Sequence, residues 1–471
     1  MENCEDSRLL SKAPVPFVGS VRFWVSIAVM LLGIVFFLHL SNVNVAVVCM
    51  VERRNHSDDN DRLARRLLED GNTSTAAPET DSFDWPKSTQ GLLLSAVFIL
   101  YTPLQIPAGL LARRWSSKRL CLGCVLAACL CCVVSPIAAV ISPWALIGVR
   151  VVLGVIEAPI LPAVVDLIAS WAPPLERTMM TVMLTGGSMI GAALTPFLSG
   201  VLCSTVGWQW IFYGTAMVSL VWCCLWQLLV SDTPNGHYRI SEKEKEYINQ
   251  SLAGQRTTAA QTGFGSVPWR HLATSSAVWA ILLAHFAGTC GVYFLSTMVP
   301  MYFAEVLHFP IRENGAFAAL PFVGLTVTSV ASGYIADWLR SRRRWSTVVV
   351  RKLMTTIGMG GLTLCVLAVS FLDVEQRWWA VALLVLGQTL EGLQFAGYFV
   401  NGMDVAPQYA AQLFGVTNTA ACVSGVVMPF AAAVVTQNGS IEQWRSVWWF
   451  LTAIQLAGVF LFQAADLGHS S

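Results

Sequence analysis

Long apolar runs separated by short polar turns make up most of the chain. A bilayer core asks for about 20 apolar residues per spanning helix, and twelve stretches meet that length: roughly 23–50, 89–112, 119–141, 144–171, 177–204, 209–230, 276–304, 314–338, 347–371, 378–402, 410–436 and 445–465. They predict an all-α membrane protein with twelve transmembrane helices, called spans 1 to 12 below. The polar stretch 231–275 divides them six and six and contains the charge-rich "ISEKEKEYI". The expected organisation is a tail (1–22), a six-helix bundle (23–230) with a long first loop (51–88), a linker (231–275), a second bundle (276–466) and a short tail (467–471). The first apolar run is too long for a cleavable signal peptide, so span 1 is expected to act as an uncleaved anchor.

The polar turns set orientation. Basic residues cluster after span 2 (Arg113, Arg114, Lys118, Arg119) and around the turn between spans 8 and 9 (Arg340, Arg342, Arg343, Arg344). The short turns on the other face hold only Arg312, Arg377 and Arg445, and the long first loop has basic residues but more acids. The positive-inside rule then predicts cytosolic termini and a cytosolic linker. Two glycosylation acceptors in the first loop, Asn55 and Asn72, fit a lumenal or extracellular face. The string "GLLARRWSSKR" after span 2 is echoed by "GYIADWLRSRRR" after span 8, the same place in each half. Two pseudo-symmetric six-helix bundles arranged as parallel repeats follow from that echo.

Composition agrees: 55% of the 471 residues are hydrophobic, 12% are charged and mean hydropathy is +0.60. With a net charge of +1, no basic face invites nucleic acid. The 13 cysteines fall almost entirely in apolar segments and read as small hydrophobes. No disulfide framework is expected, and the Cys121-x-x-Cys124 pair lacks the partners a zinc site needs. No metal, cofactor or enzymatic constellation is predicted. The glycine-rich "TGGSMIGAALTPFLSG" of span 5 predicts close helix contact. Trp208, Trp210, Trp378, Trp379, Trp448 and Trp449 predict an interfacial belt.

The ionisable groups inside the spans are few: His39 (span 1), Arg150, Glu157 and Asp166 (span 4), His285 (span 7) and Glu391 (span 10). They fall on every third span, the equivalent first and fourth helices of each half. Charges in a bilayer persist only where they face water, a partner or a substrate. Arg150 and Glu157 are two turns apart, about 10.5 Å along the axis, too far to pair directly but suited to a ligand or second residue between them. An arginine keeps its charge and offers a planar fork to an anion. Arg150 is therefore the anion-binding candidate, joined by His39, Tyr101, His285, Tyr293 and Asn418 as substrate-binding candidates. Carboxyl groups removed from water hold protons more readily, so Glu157 and Glu391 are the proton-coupling candidates. Asp337, Arg340 and Asp404, at the ends of spans 8 and 10, are candidate gating residues; Asp166 reads as an end-capping group.

Several strings, "NVNVAVVCM", "FDWPKSTQG", "WAPPLER", "VSDTP", "RISEKEKEYI", "MDVAP" and "GVTNT" among them, resemble in order and position those of the anion:cation symporter family of the major facilitator superfamily, in its sialin-like branch. The resemblance implies the major facilitator fold and transport of organic anions, coupled to protons or voltage in acidic organelles and to sodium at the plasma membrane. It assigns Arg150 and Glu157 to the family's span 4 arginine and glutamate. Leu40, Leu153, Val165 and Gly288 stand where members carry an arginine, an acid, a histidine and an arginine; the loss of two cationic positions argues against glutamate as substrate, and the missing acid at Leu153 against the coupling scheme of the sialin-like branch. Glu391 stands where relatives have glycine. Glu5 with Leu9 and Leu10 forms an acidic dileucine pattern of the kind clathrin adaptors read, which directs the expectation to a lysosomal or other acidic-vesicle membrane and a monomeric carrier. The alternatives are a sodium-coupled phosphate or organic anion cotransporter at the plasma membrane and a non-transporting sensor or scaffold of the same fold.

Overall fold

A computed structural model describes residues 16–51, 83–112, 115–173, 176–253, 269–342, 345–405 and 410–465. Asn55, Asn72, Glu5, Leu9 and Leu10 lie outside these residues. Spans 1 to 3 are the helices Val21–Met50, Lys87–Ala112 and Ser117–Ile141. Span 4 is two helices, Pro143–Glu157 and Ile160–Trp171; spans 5 and 6 are Arg177–Thr205 and Gln209–Leu229. In the second half, spans 7 to 9 are Ser276–Glu305, Ile311–Arg342 and Thr347–Val369. Span 10 is broken into Arg377–Glu391, a 3₁₀ turn Gly392–Ala396 and Tyr398–Val405, followed by Ala410–Val435 and Ile441–Ala464. Among the described residues, eleven spans are long and apolar enough to cross a membrane by length and composition. The linker begins and ends on the face where span 1 starts, called the linker face; the opposite one is the first-loop face.

Small residues position the halves. Span 5 packs against span 1 within its own half, because a Cβ on Gly33 or Gly187 would collide with backbone of the other helix. It packs against span 8 of the other half at Gly200, where a Cβ would stand 2.9 Å from the Cα of Gly315. Spans 2 and 11 meet through Ser95, whose hydroxyl donates to the Val426 carbonyl at 2.8 Å, and through Gly425, seated against the Phe98 ring. Asn44 Nδ2 on span 1 donates to the Ser296 carbonyl on span 7 at 3.0 Å, and Lys87 pairs with Glu305. These contacts between halves run from the middle of the membrane to the first-loop face.

Two sequence expectations need correction. Cys49 and Cys203 form a disulfide joining the first-loop ends of spans 1 and 5; each is the one cysteine near the end of its own span, a position apolarity alone does not distinguish. Trp208 and Trp448 are not belt residues: they are 0% and 1% exposed, packed on Phe83 and Phe212 and on Phe294 and Tyr302. Trp210, Trp378, Trp379 and Trp449 are exposed as an interfacial belt requires.

Candidate functional site

The charged core of the N-terminal half is built by spans 1, 4 and 6. Span 4 breaks after Glu157 because Pro159 and Pro162 cannot donate to the carbonyls of the preceding turn. Gly154 lets it lie directly on span 2, since a Cβ there would strike the Val97 carbonyl. His39, about three turns from the end of span 1, is the group between Arg150 and Glu157. Its Nδ1 lies 2.7 Å from Glu157 Oε1 and its Nε2 lies 2.8 Å from Ser219 Oγ. Arg150 Nη1 donates to the His39 carbonyl at 2.8 Å and to Asn42 Oδ1 at 3.1 Å, and Nη2 donates to the Leu40 carbonyl at 2.6 Å. Glu157 and His39 are 0% exposed and Arg150 is 1% exposed. The fork of Arg150 thus clasps span 1 rather than an open cleft in this conformation. Its Nε and Glu157 Oε2 are the atoms of the trio without a partner among the described residues.

The other candidates separate into three places. Tyr101 and Tyr293 flank Phe98, at 6.2 and 4.7 Å between ring centroids, so an aromatic plug joins spans 2 and 7 across the two halves. Asn418 is half-buried on span 11, with Cys422 its nearest polar neighbour at 3.9 Å. His285 is set apart: its Nδ1 meets Thr417 Oγ1 at 3.1 Å and its ring is surrounded by Tyr398, Phe399 and Phe414. Glu391 lies in the C-terminal half, 0% exposed, on the broken span 10. Asp166, inside the second helix of span 4, accepts from Ser117 Oγ of span 3 at 3.0 Å and caps neither helix end.

On the linker face, Asp337 and Arg340 form an exposed pair at 4.0 Å one helical turn apart. Asp404 is instead held by Arg351, at 2.7 Å from Nε. Sequence reading missed the strongest network there. Arg22, 0% exposed, pairs with Glu176 at 2.5 Å and Glu244 at 3.1 Å, with the Tyr247 ring 4.9 Å from its guanidinium carbon. Glu176 belongs to "WAPPLER" and Glu244 and Tyr247 to "EKEKEYI". The linker helix Glu242–Ala253 is thereby anchored to the start of span 1. Acids in two of the quoted strings were the available signal; their meeting at Arg22 was not.

Comparison with known proteins gives this architecture a lineage. The family model described as Major Facilitator Superfamily matches residues 66–429. Human sialin is 33% identical over 98% of this chain and 93% of its own length. Human vesicular glutamate transporter 2 is 32% identical over 82% of this chain and 66% of its own. Among solved structures, an inward-facing, occupied bacterial homologue of the human lysosomal transporter Spinster superposes with a TM-score of 0.68 at 13% identity, covering 96% of this chain and 97% of that one. These relatives are transporters, not enzymes. The chain is therefore a multi-pass membrane protein of the major facilitator superfamily and belongs to its anion:cation symporter family.

Proposed function

We propose that the chain is a secondary active transporter of small organic anions, driven by protons across a lysosomal or other acidic-organelle membrane. The linker face is cytosolic, and transport proceeds by alternating access between the two halves. Likeness to sialin and to a vesicular glutamate transporter supports the substrate class. Contacts between halves that run toward the first-loop face support a state closed to the lumen.

The observation that carries the coupling is the buried His39–Glu157 contact beside Arg150. Ser219 Oγ lies 2.7 Å from the Thr215 carbonyl. With its hydroxyl donated there, Ser219 accepts from His39 Nε2–H. The 2.7 Å contact between His39 Nδ1 and Glu157 Oε1 then needs a proton between them, because two lone pairs would repel. So loaded, the pair is neutral overall and Arg150 is an uncompensated positive charge that an anion neutralises. After the proton leaves, Glu157 balances Arg150, anion affinity falls and the span 1 to span 4 contact is broken. Proton and anion are thereby bound together and released together. A lumen about two pH units below the cytosol supplies about 2.7 kcal/mol per proton, enough for about hundredfold concentration of the substrate.

Uptake of a panel of small mono- and dicarboxylates into proteoliposomes, at imposed pH and voltage, tests this reading. Glu157→Gln is expected to lose accumulation driven by the pH gradient while keeping counterflow exchange. Undiminished gradient-driven uptake by that variant removes the assignment.

A further inference from the structure

A cleft of about 580 Å³ opens between the linker-face half of span 3 and the break of span 4, within the range of about 300–1,000 Å³ usual for small-molecule sites. Residue spacing builds its span 3 wall. Arg119, Gly123 and Ala127 recur at every fourth position and so share one face of the helix, about 12 Å from the first to the last. A Cβ on Gly123 would meet nothing within 4 Å, so the wall is hollow there. Opposite stand Ile156 and Pro159, where the helix Pro143–Glu157 gives way to Ile160–Trp171. Apolar side chains on the same two faces are exposed, Leu126 and Leu130 on span 3 and Val152 and Val155 on span 4. Span 3 packs on spans 4 and 6 of its own half, and the exposed side of this pair of helices looks into hydrocarbon. The cleft is therefore open sideways to lipid.

Its mouth carries a positive charge. Trp115 and Arg119 line the linker-face end and both are exposed, at the level where tryptophan rings sit among headgroups. The polar groups beside them have partners within the chain. Ser116 Oγ donates to Asp232 at 2.6 Å, the Lys118 N–H donates to the same carboxylate at 2.8 Å, and Lys118 Nζ donates to the Gln227 carbonyl at 3.1 Å. Arg119 uses its backbone N–H on Ser116 Oγ, and its guanidinium has no hydrogen bond or ion pair among the described residues. The same turn holds Arg113 and Arg114 in sequence.

We propose that this cleft binds an anionic phospholipid of the linker-face leaflet, with the phosphate on Arg119 and one acyl chain laid along Gly123 and Ala127 against the break of span 4. A guanidinium fork matches phosphate oxygens, and basic pockets between spans at this level select acidic headgroups. The apolar floor below Arg119 offers a water-soluble anion nothing, whereas an acyl chain restores the dispersion contacts that an empty groove forfeits. Ile156 and Pro159 flank Glu157 in sequence, so the chain would brace the break from the lipid side. The site stands on the membrane-spanning fold and does not depend on the transport reading.

Photo-crosslinking of the purified full chain in phosphatidylcholine proteoliposomes tests the site. Trace phosphatidylserine or phosphatidylcholine, each carrying a diazirine in mid-chain, is activated and the adducts are mapped by peptide mass spectrometry. The expected result is labelling concentrated in 119–127 and 152–159, about fivefold stronger with the phosphatidylserine probe, the ratio one basic side chain gives at an anionic headgroup. Arg119→Gln is expected to lower that ratio about fivefold and keep the labelling. Gly123→Leu fills the hollow and is expected to remove the label from these residues while other lipid-facing spans keep theirs. Both substitutions fall at exposed positions, so the fold tolerates them. Label spread evenly over the lipid-facing spans overturns the site, as does equal labelling of the wild type by the two probes. An unchanged ratio in Arg119→Gln, or unchanged labelling in Gly123→Leu, also overturns it. So does displacement of the probe by soluble glycerophosphoserine, which would make the cleft a seat for a free anion.

Discussion

The fourth span of each half begins with a fifteen-residue helix ending in glutamate, Pro143–Glu157 in one and Arg377–Glu391 in the other, but the two ends meet different partners. In the N-terminal half prolines make the break, and the facing helix, span 1, brings His39 to the carboxyl at 2.7 Å. In the C-terminal half glycines make the break, and the facing helix, span 7, brings Gly288 and Gly291, which have no side chain to offer. Duplication thus conserved a backbone device and varied its chemistry. One acid contacts a histidine beside an arginine; the other lies among amides. A buried carboxylate without a counter-charge is costly, and the halves meet that cost differently, with His39 and Arg150 near the first acid and neutral amides around the second.

The largest effect that would break this comparison comes from Arg150→Ala. It strips three hydrogen bonds from span 1 and leaves their buried acceptors unmet, so about 3 kcal/mol or more of stability is expected to go, with uptake at background. Thermal unfolding and uptake of the same preparation measure both. Gly154→Ala is expected to cost about 1–3 kcal/mol by overpacking against the Val97 carbonyl, whereas Gly123→Ala, which meets nothing within 4 Å, is expected to be neutral; equal melting temperatures would refute the packing described for spans 2 and 4. Arg22→Ala is expected to cost about 3 kcal/mol by leaving Glu244 buried without its partner and to release the linker helix, seen as faster amide exchange over 242–253. The smallest expected change is in Asp337→Asn. Its exposed pair with Arg340 contributes under about 0.5 kcal/mol, so stability should not move, and a several-fold change in uptake at constant stability would establish the gating role that sequence suggested.

Most of the architecture was legible because lipid leaves the chain few choices. An apolar run of the right length must be a helix, and the observed spans begin and end within a few residues of the predicted ones. The rarity of charge in that setting also made His39, Arg150, Glu157 and Glu391 visible. What each one touches was not legible. Arg150 was expected to aim its fork at a ligand, but two of its three partners are main-chain carbonyls, which every residue possesses and no side-chain pattern announces. Arg22 was missed because it stands at a span boundary, where basic residues are ordinary, and its acids lie far along the chain. Trp208 and Trp448 carry the same letter as the belt tryptophans beside them, and only helix rotation separates buried from exposed. The interruption of span 10 has no proline to mark it; its glycines, Gly392 and Gly397, acquire meaning only from Thr328 and Thr355 opposite, which a Cβ on them would strike.

The meeting of Gly200 with Gly315 has a mechanical corollary. Each lets the backbone of one half rest on the other near the first-loop face. In the proposed cycle this seam must part completely when the lumenal side opens. An alanine at either position would therefore work as a wedge, tilting the resting balance toward the lumen-open form while every proton-binding and anion-binding group stayed in place.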